Sequence, residues 1–270
     1  MEITSDLAAR RPGSWLDRHG RVHDYLRISV TDRCNLRCRY CMPAQGLEWL
    51  PREDLLTFEE VTRLAGLFHD RGVRKIRITG GEPTVRRGLP HLVAMLRGRC
   101  PDASLHMTSN ALLLGRIASD LREAGLGGLN LSLDSLDRET FHRITRRDLL
   151  RETLQGIDAA YDLGFRPLKI NCVVMRGVND GEASEFVELT RDREIDVRFL
   201  EYMPYGNLNV LQPEYVPGEE IMARIEADGH RLEALPWDGG PARPYRVTGH
   251  TGTVGFITAV SHHFCDRCNR

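Results

Sequence analysis

The first feature that suggests chemistry is a short run of cysteines near the start of the chain. The run is Cys34-Asn35-Leu36-Arg37-Cys38-Arg39-Tyr40-Cys41, a C-x3-C-x2-C spacing. Three thiolates this close together can hold one face of a 4Fe-4S cluster, and because no fourth cysteine is near, one iron stays open to a further ligand. The alternative is a structural zinc site, which needs a fourth ligand from His19, His23 or a distant residue.

A second cysteine pair lies at the other end of the sequence. The run there is His262-His263-Phe264-Cys265-Asp266-Arg267-Cys268-Asn269-Arg270. A C-x2-C pair is half of many zinc sites, and with His262 or His263 it can also bind zinc. The chain has seven cysteines, and this odd number in two tight groups favours metal ligation over a disulfide framework. The two isolated ones, Cys100 and Cys172, are interpreted as structural thiols.

Charged residues also occur inside the apolar runs that predict strands. Four basic residues stand out: Arg27 in the first run, Arg77 in the second, Lys169 in the fifth and Arg198 in the sixth. A single one of these could point outward into solvent, but burying four is costly unless they face a ligand, and guanidinium groups favour an anionic one.

A glycine pair with an acidic residue follows the second of these strands. The segment is Thr79-Gly80-Gly81-Glu82-Pro83. Its two glycines let the backbone approach a ligand closely, and Glu82 supplies an acceptor. Taken alone, this segment is typical of an ordinary turn between a strand and a helix.

The elements that must position these residues alternate regularly along the chain. Apolar runs predict six buried strands at Tyr25 to Val30, Lys75 to Thr79, Ser104 to Thr108, Gly128 to Leu133, Pro167 to Met175 and Ile195 to Leu200. Helical patterns separate them. The first helix is marked by a capping box at Thr57 and Glu60 and ends at Gly72, and others are predicted over 110–124, 150–163 and 182–191.

Six successive β-then-α units predict an α/β fold with a parallel sheet. The sheet is expected to form an incomplete (β/α)6 TIM-like barrel, with a doubly wound open sheet as the alternative; either brings ligands to the carboxyl ends of the strands. We divide the chain into a partly ordered arm over 1–24, the barrel over 25–203 and a C-terminal appendage over 204–270. The appendage is predicted to contain a helix over 218–227 and strands near Tyr245 and over 253–260.

Composition sets broad limits on the class of protein. Lys and Arg number 37 against 38 Asp and Glu, so no overall charge argues for nucleic acid or a membrane surface. No apolar run is long enough to span a bilayer, and the first residues lack the pattern of a signal peptide. The sequence therefore predicts a cytoplasmic protein that binds neither nucleic acid nor membrane.

The cysteine run resembles the signature of the radical S-adenosylmethionine (SAM) superfamily. The resemblance implies that Cys34, Cys38 and Cys41 hold a 4Fe-4S cluster whose open iron binds SAM, which is cleaved to a 5'-deoxyadenosyl radical. Gly81 and Glu82 resemble the family's motif for the methionyl amine. The resemblance further implies cosubstrate contacts for Tyr40, Ser132 and Met203, the first and last of them near the adenine.

Longer segments resemble the GTP 3',8-cyclase family of molybdenum cofactor biosynthesis. They are 26–35, 77–87, 131–137, 169–174 and 198–204, and the match spans Tyr25 to the last residue. The resemblance implies that the following residues contact GTP: Arg27, Arg77, Thr108, Lys169, Arg198 and Arg270. It also implies an electron donor such as flavodoxin or ferredoxin, and allows a homodimer. One departure is Thr108-Ser109-Asn110-Ala111, where the family has Thr-Thr-Asn-Gly, so Ala111 matters if this position needs a positive φ.

In that family the second cysteine pair and a third cysteine hold a second 4Fe-4S cluster that meets the guanine. This implies that Cys265 and Cys268 are ligands, but the third cysteine and the family's terminal Gly-Gly do not occur after Arg270. We therefore expect either a piece of a longer protein or a truncated homologue. Two alternatives to the cyclase stay open: a radical SAM enzyme acting on a peptide, and an inactive paralogue that binds nucleotide or zinc without turnover.

Overall fold

The computed structural model describes residues 15–18, 20–203, 214–237 and 240–262. The predicted alternation is confirmed: six strands rich in buried Val, Ile and Leu alternate with helices over residues 25–201. The strands are β1 (Tyr25–Ser29), β2 (Lys75–Thr79), β3 (Ser104–Ser109), β4 (Gly128–Ser132), β5 (Leu168–Val174) and β6 (Asp196–Glu201). All six are parallel to their neighbours, and they follow one another in chain order across the sheet.

That order identifies the fold class. In a doubly wound sheet the strand order reverses at a switch point. In a β/α barrel, neighbouring strands follow one another in the order of the chain. Within the described part of the chain, β1 pairs only with β2 along its length, so the barrel is open. The structure thus has the predicted incomplete barrel.

Seven α-helices occur in the described ranges. They are α1 (Phe58–Asp70), α2 (Leu89–Arg99), α3 (Leu114–Glu123), α4 (Arg138–Thr145), α5 (Leu150–Asp162), α6 (Ala183–Glu188) and α7 (Gly218–Ala227). Thr57 caps α1 and exchanges two hydrogen bonds with Glu60, as its capping box predicts. The sequence pattern does not single out α2 or α4, and α3 begins later than predicted because residues 110–113 form a turn instead.

The C-terminal region continues the same sheet. Its strands are β7 (Leu232–Ala234), β8 (Arg243–Val247) and β9 (Thr253–Ile257). The last of these lies parallel to β6 and pairs with β8, which in turn pairs with β7 in antiparallel register. The predicted appendage is therefore joined to the barrel through backbone hydrogen bonds, while the boundary set at residue 204 stays a prediction because 204–213 lie outside the described residues.

One large apolar core lies between the strands and the helices. It includes Ile76, Leu105, Leu129, Ile170 and Phe199, each at most 1% exposed. Cys100 and Cys172 belong to the same core, which agrees with their interpretation as structural thiols. Among the described helices, none combines the length and the apolar character needed to cross a bilayer.

Candidate functional site

One cavity at the carboxyl ends of β1 to β4 collects the predicted cysteines. Residues from all four strand ends line it: Cys34, Leu36, Cys38, Tyr40, Cys41, Thr79, Gly80, Gly81, Glu82, Thr108, Ser109, Asn110, Ser132, Asp134, Phe141 and Thr145. Parallel strands end at one edge of the sheet, which is why loops about 100 residues apart in sequence meet here. His23, considered as a fourth zinc ligand, does not line the cavity and instead contacts Asp17.

The three thiols influence one another. Burial raises the pKa of Cys38 well above its usual value, and negative charge on Asp134, Cys41 and Cys34 raises it further. Burial also raises the pKa of Cys34 and that of Cys41. Without a metal, these three neighbouring thiols resist ionisation. The positive charge of a bound metal centre would lower their pKa values and stabilise the thiolates. The donor set therefore fits a 4Fe-4S cluster, for which thiolates are the usual ligands.

The glycine pair packs against the cysteine loop. A Cβ on Gly80 would lie 2.4 Å from the Thr31 carbonyl oxygen, and one on Gly81 would lie 2.4 Å from the Arg33 carbonyl oxygen. The Gly81 amide donates to the Thr31 carbonyl at 2.7 Å, and the Glu82 amide to that of Arg33 at 2.8 Å. The glycines are thus needed for contact between two loops, in addition to any approach to a ligand.

Glu82 joins three strand ends. Its carboxylate is 1% exposed and accepts hydrogen bonds from the Thr84 amide, the Thr84 hydroxyl, the Ser109 hydroxyl at 2.8 Å and the Asn110 amide at 2.6 Å. Burial raises the pKa of Glu82 despite these bonds, which lower it. One of its two oxygens, Oε2, has a single hydrogen-bond partner among the described residues, so it keeps capacity for a donor on a ligand.

The C-terminal end of α4 holds the cysteine loop. The Arg37 and Arg39 amides donate to the carbonyls of Thr145 and Ile144 at 3.0 and 2.9 Å. In return, the Arg146 guanidinium donates to the Arg37 carbonyl at 2.8 Å and the Met42 carbonyl at 2.9 Å. Arg146 follows the helix with a left-handed backbone at φ 56°, which turns its side chain back toward the loop.

Tyr40 is fixed by a buried carboxyl group. Its hydroxyl donates to Asp134 at 2.6 Å, and the other oxygen of Asp134 accepts from the Val173 amide at 2.9 Å. Burial raises the pKa of Asp134 to about 6 and that of Tyr40 well above its usual value. The ring of Tyr40 is therefore held at the cavity wall by β4 and β5 together.

Three of the four strand cations share the barrel interior below this cavity, and the fourth, Arg27, is exposed. The charges of Arg27 and Arg198 both act on Arg77, which is 6% exposed, and burial lowers the pKa of Arg77. Lys169 is close to Arg77 and Arg198 as well. Arg77, Lys169 and Arg198 therefore lie close to one another and do not point outward separately.

Thr108 connects the cations to the cavity. It lines the thiol cavity, and its hydroxyl accepts a hydrogen bond from Arg77 at 3.4 Å. Arg77 also donates to the Tyr25 hydroxyl. The cationic group is therefore one hydrogen bond away from a residue that lines the thiol cavity.

Two residues of this interior were missed in the sequence. Asp196 accepts from Lys169 and Thr253, and Arg198 donates to it at 3.5 Å, so it is the counter-ion of the cations. His106 lies against Lys75, Arg77 and Lys169, and burial together with their charges lowers its pKa to about 4. Strand alternation is the pattern that could have found both, because each lies two residues before a predicted site residue, Thr108 or Arg198.

Other predicted residues have different placements. Ser132 lines the cavity, whereas Met203 does not and is 45% exposed. Arg270, Cys265 and Cys268 lie outside the described residues. The segment that leads to them is anchored, since buried Glu201 accepts from the amides of Val260 and Ser261 at 2.8 and 2.9 Å.

Comparison with known proteins gives matches over nearly the whole chain. Residues 28–190 match the family model of the radical SAM superfamily, and residues 195–270 match that of Molybdenum Cofactor Synthesis C. A GTP 3',8-cyclase of Geobacter sulfurreducens is 51% identical, over 94% of this chain and 78% of the relative. Molybdenum cofactor biosynthesis protein 1 of Drosophila melanogaster is 46% identical over 97% of this chain, which spans 46% of that longer protein.

Solved structures with lower identity share the fold. Streptococcus suis SuiB bound to S-adenosylmethionine matches with a TM-score of 0.60 at 18% identity, over 79% of this chain and 49% of that one. Coproporphyrinogen III oxidase from Escherichia coli matches with a TM-score of 0.52 at 16% identity, over 77% and 52%. These likenesses support the partial barrel and nothing finer.

Proposed function

The chain belongs to the radical SAM superfamily and, within it, to the GTP 3',8-cyclase family, and from this premise we propose that it cyclises GTP. The product would be (8S)-3',8-cyclo-7,8-dihydroguanosine 5'-triphosphate, formed in the first step of molybdenum cofactor biosynthesis. The relatives of 51% and 44% identity named as this cyclase support the proposal, because the chain covers 78% and 79% of their lengths.

The family uses a 4Fe-4S cluster with SAM. When bound, this group supplies the electron that cleaves SAM to the 5'-deoxyadenosyl radical. Cys34, Cys38 and Cys41 would hold the cluster. Around the cosubstrate, Gly81 and Glu82 would contact the methionyl amine, for which Oε2 of Glu82 has remaining capacity. Tyr40, Ser132 and Met203 would complete the contacts.

The observation that carries the proposal is the double contact of Thr108. Because Thr108 lines the thiol cavity and also bonds Arg77, a ligand held by the strand cations would lie next to the radical source. A nucleoside triphosphate brings about four negative charges, which Arg27, Arg77, Lys169 and Arg198 can neutralise. Asp196 offsets only one of these four positive charges, so a neutral peptide would leave the interior with an excess of positive charge, which disfavours the peptide-modifying alternative.

The interior also offers groups for the nucleoside. The side-chain oxygens of Asn130 and Asn171 and Nδ1 of His106 are buried and have no hydrogen-bond partner among the described residues. Asn130 shares the interior face of β4 with Ser132, and Asn171 shares that of β5 with Lys169, because residues two apart in a strand point to the same side. Acceptors of this kind suit ribose hydroxyls or guanine amino groups, so the site can bind more than phosphate.

For the second cluster, we propose Cys265 and Cys268 as ligands and Arg270 as a GTP contact. Support comes from the family match over 195–270 and from Glu201, which anchors the segment just before these residues. Iron analysis of reconstituted protein tests this proposal. A Cys265→Ala, Cys268→Ala double variant should lose iron, while Cys100→Ala should not.

Activity is tested with anaerobically reconstituted protein, SAM, a reductant and GTP. We expect 5'-deoxyadenosine and the cyclised nucleotide, both detected by mass spectrometry. Lys169→Met and Arg77→Leu should each raise the KM for GTP at least about tenfold, because one charge-assisted phosphate contact is lost. Arg63→Ala, which removes an exposed arginine on α1, should leave it unchanged.

Release of 5'-deoxyadenosine with a peptide but not with GTP would contradict the cyclase. Two zinc ions per chain and no iron after anaerobic purification would instead support the inactive paralogue. The partners are also proposals: an electron donor such as flavodoxin or ferredoxin, and association into a homodimer in the cytoplasm. Reduction of the cluster by flavodoxin and light scattering of the purified protein test the first two.

A further inference from the structure

A cluster of possible metal ligands lies away from the thiol cavity. Glu188 ends α6, His230 lies between α7 and β7, and His250 lies between β8 and β9. One ligand atom from each lies within 4.8 Å of the other two. The Glu188 carboxylate is 3.7 Å from Nε2 of His230, and the two imidazoles meet edge to face at 5.8 Å. Three segments distant in sequence thus converge on one point.

The hydrogen bonds of Thr190 determine the tautomer of His250. The Thr190 hydroxyl is buried and gives its one proton to the Val187 carbonyl at 2.7 Å. The hydroxyl oxygen can therefore only accept a hydrogen bond from Nδ1 of His250, which lies 2.9 Å away. Nδ1 must then carry the proton, and Nε2 presents a lone pair. Orientation of an imidazole by such a bond on its other nitrogen is the usual arrangement around metal-binding histidines.

Arg191 would compete with a metal ion for the carboxylate of Glu188. It donates two hydrogen bonds to the carboxylate at 2.6 and 2.7 Å. Both side chains are about half exposed, at 51% for Arg191 and 42% for Glu188, and surface ion pairs of this kind contribute little to stability. Arg191 can therefore turn into solvent when a cation occupies the site.

We propose that Glu188, His230 and His250 bind one divalent transition-metal ion, with Zn²⁺ the best match. Two imidazoles and one carboxylate are a common zinc donor set, with a fourth position for water. Neither Mg²⁺ nor Ca²⁺ matches, because those ions prefer oxygen ligands throughout. A bound ion would tie the end of α6 to the segments that flank β7 to β9, and so fasten the C-terminal strands to the barrel.

The test is Zn²⁺ titration by calorimetry on the full chain with its clusters reconstituted, so that the cysteines are occupied. We expect one bound zinc per chain beyond any cluster site. The variants His230→Gln and His250→Gln should each weaken it at least tenfold, whereas His91→Gln, an exposed histidine on α2, should not. Thr190→Val keeps all three ligands and should still weaken binding by about tenfold or more, through loss of orientation.

Arg191→Ala should have the opposite effect and strengthen binding, since it removes both a competitor and a repelling charge. Co²⁺ bound at the site should give the spectrum of nitrogen and oxygen ligands without a thiolate band. An additional zinc that persists unchanged in both histidine variants would overturn the proposal, as would a thiolate band. If the histidine variants fail to fold, unchanged affinity in both Thr190→Val and Arg191→Ala overturns it equally.

Discussion

At the scale of single residues, His106 is a neutral imidazole within a cationic interior. It is 7% exposed, and its ring lies over Gly128, where a Cβ would approach Nδ1 to 2.6 Å. Glycine at 128 is therefore what gives the ring its space. Burial lowers the pKa of His106 to about 4, and the charges of Lys75, Arg77 and Lys169 act in the same direction.

This histidine should make stability depend on pH. The folded protein keeps His106 neutral down to about pH 4, while the unfolded chain binds a proton below about 6.5, so unfolding takes up a proton in between. Stability should therefore fall as the pH drops from 7 to 5, by about 1 to 2 kcal/mol after allowance for solvent screening. His106→Gln should remove this part of the dependence.

Urea unfolding at pH 7 and pH 5 measures the effect as a difference between the two proteins. That difference isolates His106 from Asp134, whose raised pKa acts in the opposite direction. His91→Gln is the control and should follow the wild type. Equal pH dependence in His106→Gln and the wild type would show that the histidine is not kept neutral.

Ala111 adopts a backbone conformation that glycine prefers. It is fully buried with φ 66°, in the turn between β3 and α3. The left-handed conformation costs a non-glycine residue about 1 to 2 kcal/mol. Ala111→Gly should therefore destabilise less than Ala118→Gly, which removes a similarly buried methyl from α3, by about 2 to 3 kcal/mol, of which about 1 kcal/mol is the cost of glycine within a helix. Thermal unfolding of both variants checks the difference, and a difference of about 1 kcal/mol or less would count against strain at 111.

At the scale of elements, α4 acts as a support for the cysteine loop. Arg146 bonds two loop carbonyls from a left-handed position that glycine can occupy without strain. Arg146→Gly should keep the fold but lose two charge-assisted hydrogen bonds, about 1.5 to 3 kcal/mol each at most. We expect the cluster to be lost at least about tenfold faster.

Iron content after anaerobic gel filtration, followed over time, measures that loss. Arg147→Gly is the matched control, since exposed Arg147 has its one side-chain hydrogen bond in the described part of the chain to the Arg146 carbonyl. Circular dichroism verifies that both variants fold. Equal retention of iron in the two would mean that α4 does not stabilise the loop through Arg146.

At the scale of the whole molecule, Glu201 joins the barrel to its C-terminal region. It ends β6 and is 1% exposed, and it accepts from the Gly218 amide at the start of α7 as well as from the amides of Val260 and Ser261. Burial acts to raise the pKa of Glu201, but hydrogen bonds from Ser261, Gly218 and Val260 outweigh it and lower the pKa. Its stabilising effect is therefore present above the unfolded pKa and is lost as the pH falls.

Glu201→Gln should weaken this joint, because the new amide group faces backbone donors on both sides. We expect a loss of about 2 to 4 kcal/mol, from lost charged hydrogen bonds and an unsatisfied donor. Amide exchange over residues 253–262 should rise more than exchange in β1 to β4. The control Glu233→Gln changes an exposed residue of β7 and should leave both unaltered. Uniform exchange changes across the sheet would contradict a local joint.

The sequence alone determined much of this protein because its dominant patterns are local. Runs such as Lys75–Thr79 and the capping box at Thr57 depend on neighbours within a few residues, and both were predicted. Cysteine spacing is local too, so the proposed ligands of the first cluster could be named before any fold was known. α4 was missed because its role depends on a loop 100 residues earlier, and its length is only 8 residues.

Only the tertiary structure determined the relations between distant segments. It placed Arg77 beside Thr108, gave the cations their counter-ion Asp196, and left His106 without charge. It also brought Glu188, His230 and His250 together, although nothing in their spacing of 42 and 20 residues suggests a site. Such relations follow from strand order and register, which are set by packing of the whole chain and cannot be deduced from the composition of any single segment.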